Sequence, residues 1–142
     1  MTIRMDKAAL TEFLKTAFPQ VHGDFQIDAV RSNSVTVRLL TAERHLRPGG
    51  TVSGPSMFAL ADVSIYLAIL SRIGPRALAV TTNCTIDFMR KPAAAAEMIC
   101  EARLLKLGRV LAVGDAMLFS DGMTEPVARA GLTYSIPPGA AI

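Results

Sequence analysis

The sequence predicts an α+β protein in which an antiparallel β-sheet wraps around one long, central, apolar helix. Three observations carry the prediction. Residues 55–70 are apolar on nearly every side, as a helix buried all round must be. Strand-like segments with a period of two fill most of the remaining chain. No alternation of strand with helix occurs that would build a parallel sheet.

Taken in order, Asp6 to Phe18 reads as an amphipathic helix. Ala9, Leu10, Phe13, Leu14 and Ala17 share one face, and Pro19 follows its end. Phe25 to Arg31 and Ser34 to Leu40 are two short strands, joined by a tight turn at Ser32-Asn33. Thr41 to Pro55 is the one long irregular stretch, with His45, Pro48, Gly49, Gly50 and Gly54. Loops of this length in compact domains are often functional. The apolar helix begins with Pro55 at its first position and stops before Gly74-Pro75. Ala77 to Arg90, Glu97 to Leu107, Arg109 to Phe119 and Val127 to Ile136 then read as a meander of long strands. Turns fall at Gly108-Arg109 and Asp121-Gly122, and Pro137-Pro138-Gly139 ends the sheet in a frayed tail.

A chain of 142 residues fits one domain over 1–142, and 51% hydrophobic residues mark it as globular. The net charge of +3 comes from scattered basic residues, with Arg90-Lys91 the only adjacent pair, so no nucleic-acid partner is expected. Cys84 and Cys100 fall in strands and read as reduced core residues. The N-terminal residues show no signal-peptide pattern, and the expected location is cytoplasmic. Asp62 and Pro55 argue against a membrane span through the apolar run. His22 and His45 are isolated from Cys and Glu, so neither a metal nor another cofactor is expected.

Asp62, in the middle of the apolar helix, is the residue that points to chemistry. Desolvating a carboxylate costs several kcal/mol, so a buried one needs a partner or a cavity. A bland partner would be Tyr66 one turn on, or a strand hydroxyl. The helix N-terminus near Gly54 adds free N–H donors and the positive end of the helix dipole. Together, a base and an oxyanion donor are what hydrolysis of an activated carbonyl requires. Ser53 reads as the helix cap.

The run Gly50-Thr-Val-Ser53-Gly54-Pro55-Ser-Met-Phe-Ala-Leu-Ala-Asp62 resembles the active-site signature of hotdog-fold acyl-CoA thioesterases of the phenylacetate-degradation (PaaI-like) type. That signature is His-Gly-Gly, an apolar stretch, then Leu-Ala-Asp on the central helix. Thr85-Ile-Asp-Phe-Met-Arg90-Lys-Pro92 is similar to the family's second signature, an apolar strand ending in Arg and Pro, and Gly108-Arg109 is a third match. The resemblance covers roughly residues 35–136. It implies a hotdog fold, a homodimer or homotetramer with sites between subunits, and a CoA thioester as substrate. In that reading Asp62 is the general base or nucleophile. The Gly54 N–H polarises the thioester carbonyl, and Thr81 orients water. Arg90, Lys91 and Arg109 lie near the CoA phosphates. Arg47, Ser53 and Asn83 complete the expected substrate contacts. Ser53 and Pro55 stand where the family has His and Gly, and Arg47 where some relatives have Asn.

Two other functions remain open. His45-Leu-Arg-Pro48-Gly49 resembles the His-x-x-Pro-Gly stretch of β-hydroxyacyl-ACP dehydratases, in which the helix carboxylate follows its glycine at a shorter spacing. Here Asp62 stands eight residues past Gly54. A non-catalytic acyl-CoA binding module is the other alternative.

Overall fold

The computed structural model describes residues 2–138. Helix α1 (Lys7–Ala17) starts where the Asp6 carboxylate accepts the Ala9 N–H at 2.9 Å, and it buries Leu10, Phe13 and Leu14. Pro19 does more than follow this helix. It opens a one-turn helix, α2 (Pro19–His22), too short to leave a periodic signal. Strands β1 (Phe25–Val30) and β2 (Ser34–Leu39) form the expected hairpin, closed by Arg31 N–H donating to Ser34 O at 2.8 Å.

Between β2 and the long helix the chain is more ordered than its composition suggests. It holds a 3-10 turn at Glu43–His45 and a bridge between Leu46 and Val52. His45 is buried, and its Nδ1 accepts the Ala42 N–H at 2.9 Å. Helix α3 runs Gly54–Ile73, so Pro55 sits second, not first. The Ser53 hydroxyl caps it, accepting the Ser56 N–H at 3.3 Å.

Strands β3 (Val80–Phe88), β4 (Met98–Leu107), β5 (Leu111–Ser120) and β6 (Ala128–Ser135) complete one six-stranded sheet, entirely antiparallel, in the order β1-β2-β4-β5-β6-β3. This corrects the expected meander. β4 lies between β2 and β5, so β3 pairs instead with β6, from Val80 opposite Ser135 to Phe88 opposite Ala128, and becomes an edge. The tail expected at Pro137-Pro138-Gly139 reaches outside the described residues at Gly139.

The sheet curls around α3. Val35, Val37 and Leu39 of β2, and Met98, Cys100 and Ala102 of β4, face it. Gly114 of β5 lets helix and sheet close up: a Cβ there would lie 2.7 Å from Ile65 Cδ1 and 2.9 Å from Arg103 O. The helix is long and apolar enough to cross a membrane, but 72% of its apolar stretch is buried inside the protein, the environment of a core helix. At its far end, buried Arg72 donates to Ser32 O and Asn33 Oδ1, tying the β1–β2 turn to the helix. Cys100 is fully buried, and burial pushes its thiol up to about 12.

Candidate active site

Asp62 lies two turns into α3, on the side facing β3 and β6. Its Oδ1 accepts two hydroxyls, from Thr81 on β3 and from Tyr134 on β6, the latter at 2.7 Å. Thr81 and Tyr134 are directly paired across the two strands, so both hydroxyls arrive from one side. Tyr66, by contrast, donates to Ala77 O at 2.9 Å and leaves Asp62 alone. Burial, and then the neighbouring Asp62 charge, push the Tyr134 hydroxyl far above the ordinary tyrosine range, so it remains a donor at neutral pH. Burial and then Asp62 also raise the Cys84 thiol.

The carboxylate borders a cavity of about 540 Å³ between α2, α3 and the start of β3. Phe18, Val21, Phe58, Val63, Tyr66 and Ala79 give it a mostly apolar wall. Tyr66 stacks against Tyr134 with ring centroids 6.2 Å apart and meets Phe18 edge-on at 6.1 Å. An apolar enclosure with one carboxylate suits a ligand with an apolar body and a single reacting polar group.

The other expected site residues divide between the two ends of the molecule. Gly54 opens α3, where first-turn N–H groups have no intrahelical acceptor. It lies under the Phe88 ring: a Cβ added there would sit 3.4 Å from the ring. Asp62 stands eight positions past Gly54, about 12 Å along the helix axis, so in one chain the expected oxyanion donor and the carboxylate do not meet. Ser53 caps the helix beside Gly54, donating its own hydroxyl to Ser56 Oγ at 3.1 Å. Arg47 is exposed at that same end and borders a different cavity, of about 680 Å³, with Glu43, Pro48 and Glu97. Arg90 and Lys91 are exposed just past Phe88, with Arg90 bonded to Pro126 O at 2.7 Å and to Glu125 at 3.2 Å. Arg109 sits in the β4–β5 turn at the opposite end, near Ile73 and Arg76. The three basic residues therefore do not cluster within one chain.

Asn83 is exposed and does not border the Asp62 cavity. The reason is a bulge in β3 between Thr81 and Asn83. Strict alternation would put both on one face. The extra residue shifts the phase, so Cys84 and Ile86 follow Thr81 toward the core instead. Tyr134 is the site residue that sequence reasoning missed. Its signal lay in the inward row Ala128, Ala130, Leu132, Tyr134, where a buried tyrosine hydroxyl needs a partner. Among the described residues, no three of His, Cys, Asp and Glu are grouped to hold a metal ion.

The family model of the thioesterase superfamily matches residues 49–127, which include Gly54, Asp62, Thr81 and Asn83. The chain is similar to the crystal structure of a protein from a Silicibacter species that is provisionally described as a thioesterase. The two are 59% identical over 97% of this chain and 96% of that one, with a TM-score of 0.91. It is also similar to a mutant of the phenylacetic acid degradation protein PaaI from Thermus thermophilus, at 26% identity over 84% of this chain and 99% of that one, TM-score 0.71. A hypothetical thioesterase from Streptococcus pneumoniae, crystallised with coenzyme A, shares the fold at 19% identity over 87% of this chain and 96% of that one, TM-score 0.75. No curated protein matches the chain. The match over more than half of the sequence, and a relative of near-equal length with the same wrapped helix, establish that the protein belongs to the thioesterase superfamily, as a thioester hydrolase of the hotdog fold.

Proposed function

We propose that the protein hydrolyses acyl-CoA thioesters, with Asp62 as the base or nucleophile, in a site completed by a second copy of the chain. The observation that carries this reading is the Asp62 carboxylate, anchored by two hydroxyls at the rim of an apolar cavity. The acyl group would occupy that cavity. Coenzyme A as the leaving group is suggested by the pneumococcal neighbour that carries it.

The need for a second copy follows from the division of the site. β3 runs from Val80, beside Asp62, to Phe88, beside Gly54, and among the described residues its outer edge has no strand partner. Leu78, Val80, Phe88 and Met89 are exposed along it, a long apolar edge of the kind that natural proteins cover. Antiparallel pairing of two β3 edges would set the Gly54, Arg90 and Lys91 end of one copy against the Asp62 and Arg109 end of the other. Asn83, near the middle of that edge, would then lie in the seam.

In the general-base form, Asp62 takes a proton from water as the oxygen attacks the thioester carbonyl carbon. The carbonyl oxygen gains the negative charge opposite the N–H groups at the partner helix start. The carbon–sulfur bond then breaks, the acid departs, and the CoA thiolate takes up the proton. A positioned base contributes roughly 10²–10⁴ in rate, and an oxyanion donor about 10²–10³. In the dehydratase alternative the acting residue would be His45. That side chain is buried, its Nδ1 holds a backbone amide, and it does not border the Asp62 cavity.

The test is dye-detected thiol release from short, medium and aryl acyl-CoAs by the parent and by Asp62→Asn. Turnover in the parent that falls by about 10² or more in the variant supports the reading. No thiol release from any thioester would overturn it and leave an acyl-CoA binding module.

A further inference from the structure

We infer that Tyr134 is a positioning residue that gives the two oxygens of Asp62 separate tasks: Oδ1 is the anchor, and Oδ2 is the oxygen that reacts. The inference rests on the hydrolysis proposed above and adds a residue and an atom to it.

The geometry around the carboxylate is one-sided. Oδ1 accepts Thr81 and Tyr134, while among the described residues nothing donates to Oδ2. Asp62 borders the cavity, and Oδ2 is the oxygen of its carboxylate that no described residue ties down. Tyr134 does more than add a second donor. Its hydroxyl also lies 3.0 Å from the backbone carbonyl of Asp62, so one group touches both the side chain and the main chain of the same residue. Both are acceptors, so the single phenolic proton is committed to Asp62 whichever it faces. The ring that carries the hydroxyl is itself fixed: it is 3% exposed and stacked on Tyr66. A carboxylate held in this way has little freedom to rotate about its side-chain bonds.

The same arrangement decides where a proton goes. Protonating Oδ1 would set a third O–H against two donors already aimed at that oxygen, and at least one would lose its acceptor. Protonating Oδ2 disturbs neither bond. A proton taken from water during turnover therefore arrives on Oδ2, as does any bond to carbon if the carboxylate attacks directly.

The experiment is a double-mutant cycle on steady-state kinetics, with parent, Asp62→Asn, Tyr134→Phe and the double variant assayed on the best acyl-CoA of the panel. Tyr134→Phe keeps the ring and its packing and removes only the hydroxyl. The expected result is a kcat lower by about 10- to 100-fold, the scale of one hydrogen bond to a charged group, with KM within about twofold of the parent. In the Asp62→Asn background the same change should alter the residual rate by less than about twofold, because a residue that acts through the carboxylate has nothing left to position. Parental kinetics in Tyr134→Phe would overturn the inference. So would a rise in KM with kcat unchanged, or equal losses in both backgrounds. If Tyr134→Phe does not fold, Thr81→Val removes the other donor to Oδ1, and the same cycle applies to it. The two levels fail separately. Parental turnover in Asp62→Asn sinks the hydrolysis reading, whereas a collapse there beside parental kinetics in Tyr134→Phe sinks only the positioning role.

Discussion

Asp62 and Asp24 are both carboxylates held by neighbours, and the neighbours decide what each can do. Asp62 is held by two neutral hydroxyls at a cavity, and among the described residues no cation pairs with it. Asp24 instead meets Arg44 and the edge of His45, and so pins the start of the loop that leads to α3. Burial acts to raise the Asp24 carboxyl, but Arg44 and His45 outweigh it and hold the group below its ordinary value of 3.8. A carboxyl depressed in the folded state contributes stability that is present above its unfolded pKa and lost as pH falls through the folded one. Asp24→Asn should therefore lower Tm at neutral pH, and the gap from the parent should close below about pH 3.8. Thermal melts of both proteins from pH 7 to pH 2.5 check this. A gap that stays constant would show that the contribution is not electrostatic.

The helix α3 is the element on which both halves of the proposed site are mounted, and its seat on the sheet depends on small residues. Gly114 and Gly131 sit on neighbouring strands and differ in what surrounds them. A methyl at Gly114 would press on Ile65 of α3 and on the Arg103 carbonyl, and a backbone carbonyl cannot swing away. A methyl at Gly131 would meet nothing within 4 Å. Gly114→Ala should thus lose about 1–3 kcal/mol, the usual penalty for overpacking, and Gly131→Ala should be close to neutral. Denaturant titration of the two variants reads the difference directly, and equal losses would refute the close approach of α3 at Ile65. Any shift of α3 also moves Asp62, so Gly114→Ala is expected to lose activity beyond its loss of folded protein.

At the level of the whole molecule, the arrangement of charge and apolar surface favours pairing along β3. The outer face of the sheet neutralises itself through internal ion pairs: Arg38 with Asp28, Glu97 and Asp121, Arg103 with Asp115, and Arg129 with Asp87. The β3 edge has exposed Leu78, Val80 and Phe88 instead. Leu78→Lys places a charge at the start of that edge, at a residue that does not line the Asp62 cavity. The expected outcome is a monomer in analytical ultracentrifugation, where the parent sediments as a dimer or larger, with a loss of turnover of more than about tenfold. A parent that is monomeric and fully active would sink the shared site.

The residues themselves carried the central helix, the strand segments and the unusual position of Asp62 as a carboxylate within an apolar helix. Each is written in local terms: an apolar surface on every side, a period of two, and one charge with no polar company. The family resemblance at 50–62 likewise needed only neighbouring residues, and the thioesterase match over 49–127 bears it out. What local pattern could not carry was every relation between distant segments. The Tyr134 hydroxyl reaches Asp62 across 72 residues of chain. β3 sits at the edge because β4 already has two neighbours, a matter of competition among strands rather than of the β3 sequence. One bulge turned Asn83 away from Thr81, and nothing in Thr81-Thr82-Asn83 announces an extra residue in the pairing. Periodicity reports which face a residue prefers to bury. Packing in three dimensions chooses what lies opposite that face, and here it set a tyrosine against the aspartate and held Gly54 about 12 Å away.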